Sequence, residues 1–158
     1  MYQWSAGAQQ FVQAQTFPVQ FASGVTSFTF TYFGATSTGL VFTSFKNESP
    51  TRNTTLTQSP LYVFSSSFNR FVAAPATLST QGPQDVEAFT SNGNLYLAIA
   101  NYAREQTGTS PIALSFEINS LIYKWVPASN SFVQVHSPSG RKNIKETNKQ
   151  KKKIEERR

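Results

Sequence analysis

The chain has 158 residues, no cysteine, a single histidine and a formal net charge of +6, a length that ordinarily builds one domain with a sizeable core. Nine of its 14 Lys and Arg and three of its eight acids fall in residues 141–158, so residues 1–140 are neutral and the terminal segment carries the whole excess. A neutral body has no basic stripe to follow a phosphate backbone, which excludes a nucleic-acid reading from overall charge, and the lack of cysteine does not assign a compartment.

The body is rich in Phe, Thr and Ser and poor in the helix formers Leu, Glu and Lys, and none of it keeps helical spacing over three turns. Such a composition suits pleated, half-buried strands. In chain order, residues 1–15 read as two short strands. VTSFTFTYF (25–33), GLVFTSF (39–45), LYVF (61–64) and RFVA (70–73) follow as one set of four. DVEAF (85–89), LYLAIANY (95–102), LIYKW (121–125) and SFVQV (131–135) make a second set. Turn chemistry separates them, with Ser91-Asn92-Gly93-Asn94 between the first two strands of the second set and Pro127-Ala128-Ser129-Asn130 between its last two.

A short pattern recurs three times without a gap. Tyr2, Tyr62 and Tyr123 are each followed two residues later by an aromatic (Trp4, Phe64, Trp125) and nine residues later by Phe-Val (Phe11, Phe71, Phe132). The spacings of 60 and 61 residues are those of a tandem repeat. Runs such as LYLAIA and LYVF are apolar on both sides, so each four-stranded unit needs a sheet on both faces. Radial stacking of such sheets gives a β-propeller of four to eight blades. Residues 1–15 are then expected as the outer strands of a preceding blade, 16–74 as a divergent blade, 75–140 as a second blade and 141–158 as a basic disordered tail. The chain is accordingly expected to be a piece of a larger propeller whose open sheet faces leave it poorly stable or self-associating.

GPQDVEAFTSNGNLYLAIANY, NSLIYKW and SFVQV together resemble the EAR repeat, also called EPTP. That family includes the leucine-rich glioma-inactivated secreted proteins, the very large adhesion G-protein-coupled receptor and the thrombospondin-type laminin G domain and EAR repeat protein. The first full repeat departs from the pattern where GLVFTSF replaces the Y-L-x-x-A-N strand and where Phe64 stands for Trp. The resemblance implies an all-β propeller of seven blades, secreted or at the cell surface, that binds other proteins. Its repeat-signature core would be Tyr2, Trp4, Phe11, Tyr62, Phe64, Phe71, Phe89, Tyr96, Asn101, Tyr123, Trp125 and Phe132. Asn53-Thr54-Thr55 is a usable glycosylation sequon, and Asn47-Glu48-Ser49 is a second one hindered by Pro50.

The chemistry inventory points away from catalysis. His136 stands without a second His, a Cys or clustered carboxylates near it in sequence, and reads as a solvated residue past the last strand. No nucleophile elbow, phosphate loop or metal-spacing motif is present. The Tyr/Trp pairs read as core packing rather than as a stacking platform for bases or sugars. The resemblance implies that an intact propeller can hold calcium at its inner strands, and Asp85 and Glu87 are the candidates. The equivalent positions of the other full repeat are Gly24 and Thr26, too few oxygens for a hard cation, so the expectation is no resident metal and no cofactor.

The terminal GRKNIKETNKQKKKIEERR has only Ile144 and Ile154 as apolar residues, which excludes a membrane helix, and its KKK and RR are a nonspecific match to a nuclear signal or nucleic-acid arm. The expected function is therefore a non-catalytic extracellular protein-interaction module for adhesion or ligand binding, with connections 46–60 and 103–119 as contact or glycan-bearing surfaces. Two rivals are an intracellular kelch-type scaffold, whose double-glycine pattern is missing, and a lectin-like or sugar-processing propeller, which needs paired acids on inner strands.

Overall fold

A computed structural model describes residues 1–46, 55–105 and 114–138. Among these, β1 (Tyr2–Ser5) and β2 (Gln10–Gln13) form a hairpin, and β3 (Ala22–Tyr32), β4 (Ala35–Ser44), β5 (Leu56–Ser65) and β6 (Arg70–Gln81) form an antiparallel sheet in that order. Further along come β7 (Pro83–Ser91), β8 (Asn94–Asn101), β9 (Arg104–Glu105), β10 (Leu114–Ser115), β11 (Leu121–Val126) and β12 (Ser131–His136). Strands β7, β8, β11 and β12 make a second antiparallel sheet, and β9 pairs with β10 inside the connection from β8 to β11. Each of the eight runs expected in residues 16–140 falls on a sheet strand, while the β9–β10 ribbon was not foreseen. The fold is all-β, built of four-stranded antiparallel sheets set face to face as propeller blades. Strands β3 and β7 approach each other more closely than any other pair drawn from the two sheets.

The turns repeat with the strands. Phe33-Gly34 and Asn92-Gly93 join the first two strands of each sheet, and all four residues have positive φ, the geometry that matches the twist of a two-residue hairpin. The three hairpins that carry the Tyr pattern close instead through four residues, the last of them left-handed each time: Gln9 (φ 50), Asn69 (φ 47) and Asn130 (φ 45). Asn130 also binds across the sheets, its Oδ1 accepting from the Phe33 backbone N at 2.7 Å.

Alternation along the strands builds the core. Phe28, Phe30, Val41, Leu61, Val63 and Leu78 of the first sheet face Val86, Leu97, Ile99, Tyr123 and Trp125 of the second, and Val41 and Leu97 have no exposed surface. Burying each such aliphatic contributes about 1.5–3 kcal/mol. Trp125 packs edge-on against Phe30 at 4.8 Å between centroids and donates Nε1–H to the Thr31 carbonyl at 2.9 Å. Tyr123 donates its hydroxyl to the Ser79 carbonyl of β6 at 2.7 Å. Phe132 completes the set against Phe28. Two signature residues of the last repeat thus reach the innermost and the outermost strand of the neighbouring sheet.

Toward the opposite end of the first sheet, hydroxyls replace aliphatics. Thr80 Oγ1 lies 2.8 Å from Thr57 Oγ1 and 2.9 Å from Ser59 Oγ, and Thr57 donates to the Ser44 carbonyl, so these buried polar atoms satisfy one another. No buried side-chain nitrogen or oxygen among the described residues lacks a partner.

The signature residues of the other two repeats sit differently. Tyr62 is buried under Phe17, which also contacts Phe42 and Phe71 on the side of the first sheet that faces away from the second. Tyr2 (64 % exposed), Trp4 (53 %) and Phe11 (68 %) lie on the surface, contrary to the expectation of a core position, because no sheet among the described residues packs on that face of their hairpin. Phe64 and Phe89 are also surface residues, for the same reason.

Burial of Tyr62 and Tyr123 raises both phenols above the ordinary value of 10.0. The folded state therefore holds these protons more tightly than the unfolded chain. Their contribution to stability is complete below the unfolded pKa and is lost as pH rises through the folded one. The urea midpoint is expected to fall above about pH 10, and Tyr123→Phe should flatten part of that fall while costing about 1 kcal/mol at neutral pH through the lost bond to Ser79. A midpoint independent of alkaline pH would contradict this.

Candidate binding face

Strand direction sorts the connections by length. At one end of the two sheets lie only the two-residue and four-residue turns. At the other end emerge the β2–β3 and β6–β7 links and both long connections, β4–β5 and β8–β11. In an antiparallel four-strand meander the second-to-third connection must leave from the same end as the link to the next sheet. The described feet of both long connections thereby leave from one end of the two sheets, above fixed strands.

A single glycine makes the link between the sheets. Gly82 separates β6 from β7, donates its N–H to the Thr55 carbonyl at 2.7 Å and accepts from Tyr102 N at 3.0 Å. Its φ is +49°, and a Cβ there would lie 2.2 Å from the Ala103 carbonyl oxygen, so the clamp between the two long connections admits no side chain. Asn101 works beside it. Its Nδ2 donates to the Asn119 carbonyl at 2.8 Å and its Oδ1 accepts from Gln81 N at 3.4 Å, pinning both feet of the β8–β11 connection to the end of β6. This signature residue is thus a structural tie.

Between these ties opens a cleft of ≈ 450 Å³, lined by Ser79, Gln81, Asn101, Arg104, Glu117 and Gln134 over Ile118 and Leu121. Arg104 stands on β9 and Glu117 just beyond β10; both are exposed, and neither has an ion-pair partner among the described residues. Tyr102 and Phe116, about half exposed, pack edge to face at 5.1 Å beside the ribbon, just before β9 and just after β10. The surface therefore offers charge of both signs, amides and an aromatic pair together. None of Arg104, Glu117 and the ribbon was singled out from the sequence, because their proximity depends on pairing across an irregular connection.

Asp85 and Glu87 stand at the start of β7. Asp85 Oδ1 accepts from Val86 N at 2.9 Å, and the close approach of this residue to β3 is possible only because position 24 is glycine, where a Cβ would lie 2.9 Å from the same oxygen. No group of three or more His, Cys, Asp or Glu stands together among the described residues. The two acids by themselves do not fit the six to eight oxygens a calcium ion takes. His136 is the last residue of β12, one position beyond the expected strand, and is exposed. Asn47, Asn53 and the segment 141–158 lie outside the described residues. No helix among the described residues is long and apolar enough to cross a membrane.

Residues 76–126 match the family model of the EPTP domain, a propeller repeat. The match begins within β6 and ends on the last residue of β11, so it takes in the Gly82 link, Asn101 and the Tyr123/Trp125 pair. A search of the curated proteins found no match to the chain.

Gly82→Ala is expected to cost at least about 1 kcal/mol, since it combines positive φ with a clash against backbone. The urea midpoint of the variant measures the loss. A midpoint equal to that of the parent would show that the link is not clamped in this way.

Proposed function

We propose that the chain, whose residues 76–126 match the EPTP family model, is a non-catalytic extracellular interaction module that meets a cell-surface or secreted protein through its connection-bearing end. The observation that carries this reading is that both long connections leave from one end of the two-sheet body, the end that bears Arg104 and Glu117, which have no ion-pair partner among the described residues. Exposed aromatics beside free charges are what protein interfaces use as anchors, and fixed strands underneath reduce the ordering cost of binding. Asn53 and, less favourably, Asn47 would carry glycans in the same long connection. Adhesion or ligand–receptor pairing is the role that fits such a module, with no bound cofactor. A second reading, a saccharide ligand, draws on the amide lining of the cleft from Gln81, Asn119 and Gln134.

Secretion of the tagged chain from cultured eukaryotic cells behind an added signal peptide tests the setting. A mass loss on glycosidase treatment that disappears in Asn53→Gln is expected. The secreted chain, dye-labelled and titrated onto cultured cells, should bind saturably, lose binding when the cells are pretreated with trypsin, and weaken on the order of tenfold in Arg104→Ala/Glu117→Ala. Loss after glycosidase but not trypsin treatment of the cells would favour the saccharide. No saturable binding, or binding indifferent to the double substitution, would overturn the assignment of this face.

A further inference from the structure

The three hairpins carrying the Tyr pattern present the same aromatic pair. Trp4–Phe11, Phe64–Phe71 and Trp125–Phe132 have centroids 5.3, 5.4 and 5.0 Å apart and interplanar angles of 71°, 72° and 62°. One of these pairs is docked: Trp125 lies on Phe30 and Phe132 on Phe28, both from the first strand of the preceding sheet. Phe28 precedes Tyr62 by 34 residues, and Phe89 precedes Tyr123 by the same 34, which makes Phe89 the counterpart of Phe28 in the second sheet. Phe28 is 7 % exposed under its partner hairpin, whereas Phe89 is 40 % exposed and, among the aromatic rings of the described residues, stacks on Tyr96 at 15°. By strand alternation Ile122 and the exposed Val133 lie on the same side of this sheet.

Of the two pairs not docked on a sheet, Phe64–Phe71 has Phe17 against it, whereas among the described residues Trp4–Phe11 has no ring of another strand against it and the Phe89 strand carries no hairpin. We infer that the 158-residue chain binds a second copy of itself head to tail, the Trp4–Phe11 hairpin of one copy seating on the Phe89–Tyr96 face of the next. The in-chain interface supplies the template, with Trp4 and Phe11 taking the places of Trp125 and Phe132. Because donor and acceptor are different surfaces, the contact is heterologous and propagates until geometry closes it. The inference is independent of the function proposed above.

Sedimentation velocity across the micromolar range reads the assembly directly. The parent chain should form a concentration-dependent series larger than a monomer. Trp4→Ser and Phe89→Ser, both at surface positions, should each be monomeric with unchanged circular dichroism. A mixture of the two variants has one intact donor on the Phe89→Ser chain and one intact acceptor on the Trp4→Ser chain, so it should form a one-to-one dimer and nothing larger. A parent chain that stays monomeric throughout overturns the inference, as does assembly that survives either substitution. A mixture that fails to pair while the parent associates would exclude the head-to-tail arrangement.

Discussion

The seam between the two sheets depends on Tyr123 and Trp125. Both side chains are buried there, and each ends in a polar atom that would be left without a partner if it did not reach the other sheet. Trp125 finds the Thr31 carbonyl on β3, and Tyr123 finds the Ser79 carbonyl on β6. One contact lies at the inner edge of the neighbouring sheet and the other at its outer edge, so the pair fixes both the distance and the rotation of one sheet on the other. Aliphatic burial supplies most of the stabilisation, but it is indifferent to a slip of a few ångströms, whereas a hydrogen bond is not. Orientation follows from the polar tips of two aromatics.

From that seam the rest of the molecule can be ordered. Holding β3 against β7 requires a glycine at position 24 and a one-residue link at Gly82, and the same link ties the two long connections to each other through Thr55 and Tyr102. The connection-bearing end therefore inherits its rigidity from the sheet packing. Arg104 on β9 and Glu117 just beyond β10 stand on that end without ion-pair partners among the described residues, in a connection whose feet are pinned by Asn101. The opposite end is closed by short turns and by the Phe33–Asn130 bond, leaving little surface that could adapt to a partner.

The sheet strands were legible because period-two patterning and the turn residues agree. Asn92-Gly93 and Pro127 to Asn130 mark where chains reverse, and the Tyr-x-aromatic register marks equivalent hairpins before any coordinates are known. Less legible was which members of the pattern would be covered. Tyr123 and Tyr2 occupy equivalent positions, yet one is buried and the other exposed, since burial is decided by the neighbouring sheet and not by the residue. Asn101 was visible as a signature residue, but its work as a tie needed the three-dimensional ends of β6 and β8. The cleft was invisible for a different reason: its charges, Arg104 and Glu117, sit on and just beyond a short ribbon inside an irregular connection, where no periodic signal exists. Gly82 left a faint trace in the Gly-Pro dipeptide, which indicates a change of direction but not a clamp.

The claim most open to direct test is that the Tyr123/Trp125 seam makes the two sheets one cooperative unit. Native-state hydrogen exchange of the backbone amides of Val41 in the first sheet and Leu97 in the second measures it, in the parent chain and in Trp125→Ala. Both amides are expected to exchange through the same opening, and the substitution should lower their protection by an equal factor. Protection at Val41 that persists while Leu97 loses its own would show two sheets folding separately, and would remove the seam from its central place.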